Sequence, residues 1–227
     1  MAYQYQPNQY RGGGAAGVST QSLLGQVLGI VAVGFAITAL AVYLITYVFG
    51  IALSPLVGFI AMLAGFGLLF AINGARANPG LSLGLFYAFA FAMGVGITPV
   101  LQVYLHVAPD AVWNAAVTTA AGMGALGCIV YATGLDLRRF QGIFFAALLG
   151  LIVVGIISIF VRFVSPTLYS WLTLIIFAGF TLINFARIRA GGDGLTPVQM
   201  AASIYIDALN IFLALLQIFG GRSSNRN

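Results

Sequence analysis

Charge is what this sequence has least of: 6% of its 227 residues are charged, none is lysine, and the four acids are all aspartate. With 61% of the chain hydrophobic, a soluble fold would leave large apolar patches against water, so the composition requires a bilayer as solvent. The single cysteine, Cys128, excludes an intrachain disulfide and says nothing of redox compartment. The single histidine, His106, falls at the end of an apolar run and reads as a solvated residue at the outer interface. No histidine stands within a span to serve a serine, no second acid lies in the membrane, and HExxH and phosphate-loop patterns are missing. The chain is therefore read as not an enzyme, with no cofactor and no high-affinity metal site. The net charge of +5 comes from nine arginines scattered singly or in pairs, which does not make a nucleic-acid face.

Long apolar runs are what the sequence has in abundance. A helix needs about 20 residues to cross about 30 Å of hydrocarbon, and runs of that length recur along the chain. They are continuous, whereas barrel strands alternate, so the fold class is all-α: a polytopic integral membrane bundle. Breaks at 50–55, 74–80, 106–110, 134–139, 162–166 and 189–197 leave seven spans near 22–49, 52–73, 81–105, 111–133, 140–162, 166–188 and 198–220. Residues 1–20, rich in Gln, Tyr and Gly, read as a flexible tail, 21–221 as one membrane domain, and 222–227 as a short C-terminal tail. The apolar run after Ser22 exceeds a signal-peptide core and is expected to stay as the first span.

Seven spans put the termini on opposite sides. One side carries Arg11, Arg76, Arg138, Arg139, Arg187 and Arg189, the other Arg162, Arg222 and Arg226; the positive-inside rule makes the first cytoplasmic and the N-terminus inside. Trp113, Trp171, Tyr104 and Tyr169 fit an aromatic belt at the outer surface. Small residues at Gly25/Gly29, Gly80/Gly84 and Gly122–Gly127 read as close-packing positions inside the bundle.

Ionisable groups inside a membrane are costly and point to function. Asp110, Asp136 and Asp193 fall in loops; Asp207 alone lies well inside a span. Ser203, Asp207, Asn210 and Gln217, at offsets 0, 4, 7 and 14, form one helical stripe expected to face the bundle interior or a water-filled path. On the preceding span Thr173, Phe177, Thr181 and Asn184 form another. If the two helices pack as an antiparallel hairpin, Asn184 and Asp207 meet at similar depth, and Arg76 is the expected counter-charge. The structural alternative for both residues is an interhelical hydrogen bond that only locks the helices.

The stretches FYAFAFAMGVGITPVL, YATGLDLRRFQGIFFAALLGLIVVGIISIF, LYSWLTLIIFAGFTLINFARIR and ASIYIDALNIFLALLQIFGG resemble the Bax inhibitor-1 family, closest to its bacterial members. The pattern from Tyr205 to Asn210 is the most specific part. The resemblance implies a seven-helix bundle around a central last helix, in a bacterial cytoplasmic membrane, with a pH-sensitive calcium leak. It also implies a proton-sharing aspartate pair on the sixth and seventh helices, held closed by an arginine of the second. Asp207 matches the seventh-helix acid and Arg76 best matches the arginine. The sixth-helix position departs from the pattern: Ile183-Asn184 stands where the family has an aspartate. Asn184 cannot titrate, so pH gating is expected to be weak or displaced.

Calcium takes six to eight oxygens at about 2.3–2.6 Å, more than one carboxylate and a few amides supply, so it is expected as a permeating ion. The leading expectation is thus a passive calcium-leak channel in contact with lipid and calcium. The alternative is a regulator that binds a membrane-protein partner such as a membrane-anchored protease. A coupled transporter would need a discontinuous helix, for which Pro99 in ITPVLQ, more often only a kink, is the sole pointer.

Overall fold

The computed structural model describes residues 20–161 and 164–224, and its regular structure there is all helical. Seven helices are long and apolar enough to cross a membrane: α1 (Thr20–Tyr43), α2 (Pro55–Gly74), α3 (Pro79–Val107), α4 (Pro109–Thr133), α5 (Gln141–Phe160), α6 (Pro166–Arg189) and α7 (Pro197–Ser224). Arg11, Arg162, Arg226 and the 1–19 part of the expected tail lie outside the described residues, as does the Arg222 side chain.

Proline sets most of the starts. Pro55, Pro79, Pro109, Pro166 and Pro197 each open a helix, where the missing N–H costs nothing and the fixed φ suits the first turn. Ser54, Asn78 and Ser165 precede three of them and accept from the backbone N–H of Val57, Leu81 and Leu168. Thr196 and Gln199 form a reciprocal capping box ahead of α7, with N···O distances of 3.3 and 2.9 Å. These caps explain why α2 begins at Pro55 and not near 52. α1 continues through a π-helical segment, Leu44–Val48, to fill its expected span, α3 runs unbroken through Pro99 and two residues past its expected end, to Val107, and α7 extends past its own to Ser224. The links at 75–78, 134–137 and 190–196 all lie at one end of the bundle, with Arg76, Arg138, Arg139, Arg187 and Arg189 in or beside them; this is the arginine-bearing end.

The last helix is central. α7 packs against α1, α2, α3, α4 and α6, and α5 rides outside on α6. The faces α5 turns outward are Ile, Val, Leu and Phe, which lipid tails solvate as readily as a protein core would. On the inner side Tyr205 of α7 is fully buried against Phe35, Phe86 and Phe89. Its hydroxyl lies 2.6 Å from Thr38 Oγ1, which reaches the carbonyls of Gly34 and Ala90, so one polar knot joins α1, α3 and α7.

Of the glycines expected to pack closely, Gly127 does, where a Cβ would stand 3.1 Å from the Phe185 ring, but close backbone approach occurs at others. A Cβ on Gly25, Gly29, Gly84, Gly122 or Gly124 would meet nothing within 4 Å; one on Gly94 would stand 2.7 Å from the Thr38 carbonyl oxygen, and one on Gly58 2.8 Å from that of Gly96. The α1–α3 and α2–α3 contacts are what need a missing side chain. An apolar cleft of about 1070 Å³ is lined mainly by α1, α4 and α7, and Cys128 lies on its wall.

Candidate functional site: a buried carboxylate at the α6–α7 seam

α6 and α7 form the antiparallel hairpin expected of them, and it brings Asn184 to Asp207. Asn184 Nδ2 donates to Asp207 Oδ2 at 2.7 Å, with the two residues 8% and 4% exposed. Asp207 lies ten residues into α7, about 15 Å along its axis, too deep for a loop group to reach directly.

The cation beside this pair is Arg187. Three residues after Asn184, it occupies the same face of α6, and its Nη1 donates to Asn184 Oδ1 at 3.0 Å. The amide orientation follows from its neighbours: a carboxylate only accepts and a guanidinium only donates, so Asn184 presents N–H to one and oxygen to the other. Beyond Arg187 the polar line continues outward. Arg187 Nη2 donates to Gln141 Oε1 at the start of α5, at 2.8 Å, and its Nε lies 3.8 Å from Asp193. Both carboxylate oxygens of Asp193 also accept from the one nitrogen Arg138 Nη1, at 2.8 and 3.0 Å, and Arg138 in turn holds Asp136 at 2.7 Å.

The loop that delivers Asp193 is Gly191-Gly192-Asp193-Gly194, four consecutive residues at positive φ, a path glycine permits and aspartate tolerates. At the outer end, hydrogen bonds from Arg138 hold the Asp136 carboxyl down at about 2. The α4 terminus is tied to the same region by Arg189, which donates to the carbonyls of Val130 and Gly134.

Arg76 does not reach Asp207. It is exposed in the turn after α2 and makes no hydrogen bond or ion pair with a described residue. The counter-charge expected of it falls instead to Arg187, because Arg187 shares a helix face with Asn184 whereas Arg76 stands at the end of a helix on another side of α7. Ser203 and Asn210 donate to carbonyls of their own helix, those of Gln199 and Ile206, at 3.2 and 2.9 Å. Gln217 accepts from Ser170 of α6 at 2.9 Å, a second link across the seam near the opposite end. Thr181 donates to Phe177 O at 2.8 Å and faces Met123 of α4. Arg187, Gln141, Asp193 and Arg138 were not singled out as site residues from the sequence; the three-residue step from Asn184 to Arg187 was the available signal.

The chain as a whole is similar to proteins of several bacteria. The chain is 31% identical over 180 residues to an uncharacterized membrane protein of Vibrio cholerae, covering 77% of this chain and 79% of that one. A Streptococcus pyogenes serotype M3 membrane protein, also uncharacterized, is 27% identical over 219 residues, 89% of this chain and 94% of the other. An uncharacterized Helicobacter pylori protein is 31% identical over 167 residues, 71% and 70% of the two chains. Residues 20–224, all seven helices, match the family described as inhibitor of apoptosis-promoting Bax1, and the chain belongs to this Bax inhibitor-1 family of membrane proteins.

Proposed function

We propose that the protein is a passive calcium-leak channel whose gate is the α6–α7 seam, with Asp207, Asn184 and Arg187 as its working parts. The observation that carries this reading is the placement of Asp207: a carboxylate deep in a membrane bundle, clamped by one amide and joined by hydrogen bonds to the arginine-bearing end. An acid at that depth is expensive, and a conduction path is a reason to keep it. With the seam shut, Asn184 occupies Asp207 and the Arg187 guanidinium repels cations arriving from that end. Parting the helices exposes the carboxylate to an incoming Ca²⁺, which takes over as its counter-charge. One carboxylate with amides and carbonyls binds calcium too weakly to store it, which suits passage. By the same reading the arginine-bearing end faces the cytoplasm, the N-terminus is inside, and the membrane is the bacterial cytoplasmic one.

Asn184 has no proton to share, so the pH response of a two-carboxylate gate is weakened here. That one residue also favours the second reading, a regulator acting on a membrane-protein partner without conducting. Calcium influx into dye-loaded liposomes from pH 5 to 8, with wild type beside Asp207→Asn, separates the two. A channel leaks as a purified component and changes rate with Asp207; a regulator matches empty liposomes while remaining folded.

A further inference from the structure

A second cleft, of about 630 Å³, opens at the arginine-bearing end between α1, α3 and the start of α7, away from the seam. Its wall carries polar residues, Gln26 of α1, Arg76 and Thr196, and apolar ones, among them Ile30, Val33 and Leu83. Three features of it are unspent. Arg76 is exposed and has no anionic partner among the described residues, and no aspartate lines the cleft. The first turns of α3 and α7, beginning at Pro79 and Pro197, both border it, and each helix start carries roughly half a positive charge. Ser82, 1% exposed and lining the cleft, has a hydroxyl without a hydrogen-bond partner among the described residues, in a position where serine ordinarily bonds back to its own helix.

Buried polar groups without partners are rare, and leaving one unmade is costly. Here the orphan is a hydroxyl, which can donate, on a cleft also lined by an arginine, whose guanidinium only donates, and by two positive helix ends. Every charge around the cleft has the same sign. What complements such a set is an anion with several acceptor oxygens, and Arg76 supplies the planar fork that phosphate oxygens fit.

The geometry points to an anion site in this cleft that takes a phosphate group, held by Arg76 and Ser82 at the starts of α3 and α7. The group is either the headgroup phosphate of a lipid, whose chain would lie along Ile30, Val33 and Leu83, or a phosphate from solution. The site uses none of the seam residues and stands or falls apart from the channel reading.

The test uses full-length protein, delipidated in a phosphate-free detergent. Its thermal unfolding is followed while inorganic phosphate is added at constant ionic strength, and separately while phosphatidylglycerol is added to the micelles. A ligand at a hundred times its Kd raises Tm by roughly 5–10 °C for a chain of this size. Arg76→Gln is expected to weaken binding by about tenfold or more, the loss of one charged hydrogen bond. Ser82→Ala is expected to shrink the ligand-dependent shift while leaving the unliganded Tm equal or higher, since it removes an unsatisfied hydroxyl. A purely structural Ser82 would not couple those two readouts. Stabilisation by both ligands, or by inorganic phosphate alone, identifies a site for the free anion; stabilisation by phosphatidylglycerol alone identifies a lipid headgroup site. No stabilisation by either, or a shift that both variants leave intact, overturns the proposal.

Discussion

Replacing Asn184 by aspartate changes one atom group at the centre of the seam and turns a hydrogen bond into a contest. In the native chain the 184 amide donates to Asp207 at 2.7 Å and accepts from Arg187 at 3.0 Å. An aspartate at 184 keeps the acceptor for Arg187 but places two carboxylates together with no donor between them. Two unit charges 4 Å apart repel by about 4 kcal/mol at an effective dielectric constant near 20. Arg187 offsets part of this, though Gln141 and Asp193 already hold it, and a net penalty of roughly 1–2 kcal/mol remains, a factor of about 5–30 in the balance between closed and parted seam. One proton on the pair removes the repulsion and restores an O–H···O bond. The variant is therefore expected to leak calcium faster as pH rises and the pair gives up its shared proton, with a steeper dependence on pH than wild type. Influx into dye-loaded liposomes at each pH, with thermal unfolding in parallel to verify folding, reads this directly. A folded Asn184→Asp protein whose flux profile runs parallel to wild type would refute the reasoning, because the two carboxylates would then not be interacting.

Gly94→Ala is expected to lower stability by about 1–3 kcal/mol, since its Cβ meets backbone of α1; Gly84→Ala, with open space, should be neutral or stabilising, and thermal unfolding of the two compares them. Tyr205→Phe keeps the aromatic packing and removes the bond to Thr38, a loss of about 0.5–1.5 kcal/mol that appears as a lower unfolding midpoint. Asp136 contributes to stability through a depressed carboxyl, so its contribution is present above the ordinary aspartate range near 3.8 and is lost only as pH falls through about 2. Asp136→Asn should accordingly leave the shape of a flux profile between pH 5 and 8 unchanged; a profile that flattens would assign the pH response to this loop.

Seven helices, their order and most of their ends were legible in the sequence because each depends on local chemistry. Apolar length sets the spans, and a proline after a serine or asparagine sets three starts whatever surrounds them. The meeting of Asn184 with Asp207 was also legible, because a short link forces α6 and α7 into a hairpin and fixes which depths coincide. The partner of that pair was not. Arg187 and Arg76 are both arginines at the same end of the bundle; the three-residue step on α6 sets Arg187 beside Asn184, but only the packing of α2 against the bundle leaves Arg76 exposed and away from the pair. The glycines tell the same story: spacing marks Gly25, Gly29 and Gly84, but which ones face another backbone depends on how α1, α2 and α3 cross, and that selects Gly94 and Gly58. The sequence by itself determined the spans, their caps and the depth of Asp207, since these follow from interactions a few residues apart. The tertiary structure alone decided that Arg76 stays away from Asp207 and which polar groups stay unpaired, since those depend on azimuth and packing between helices distant in the chain.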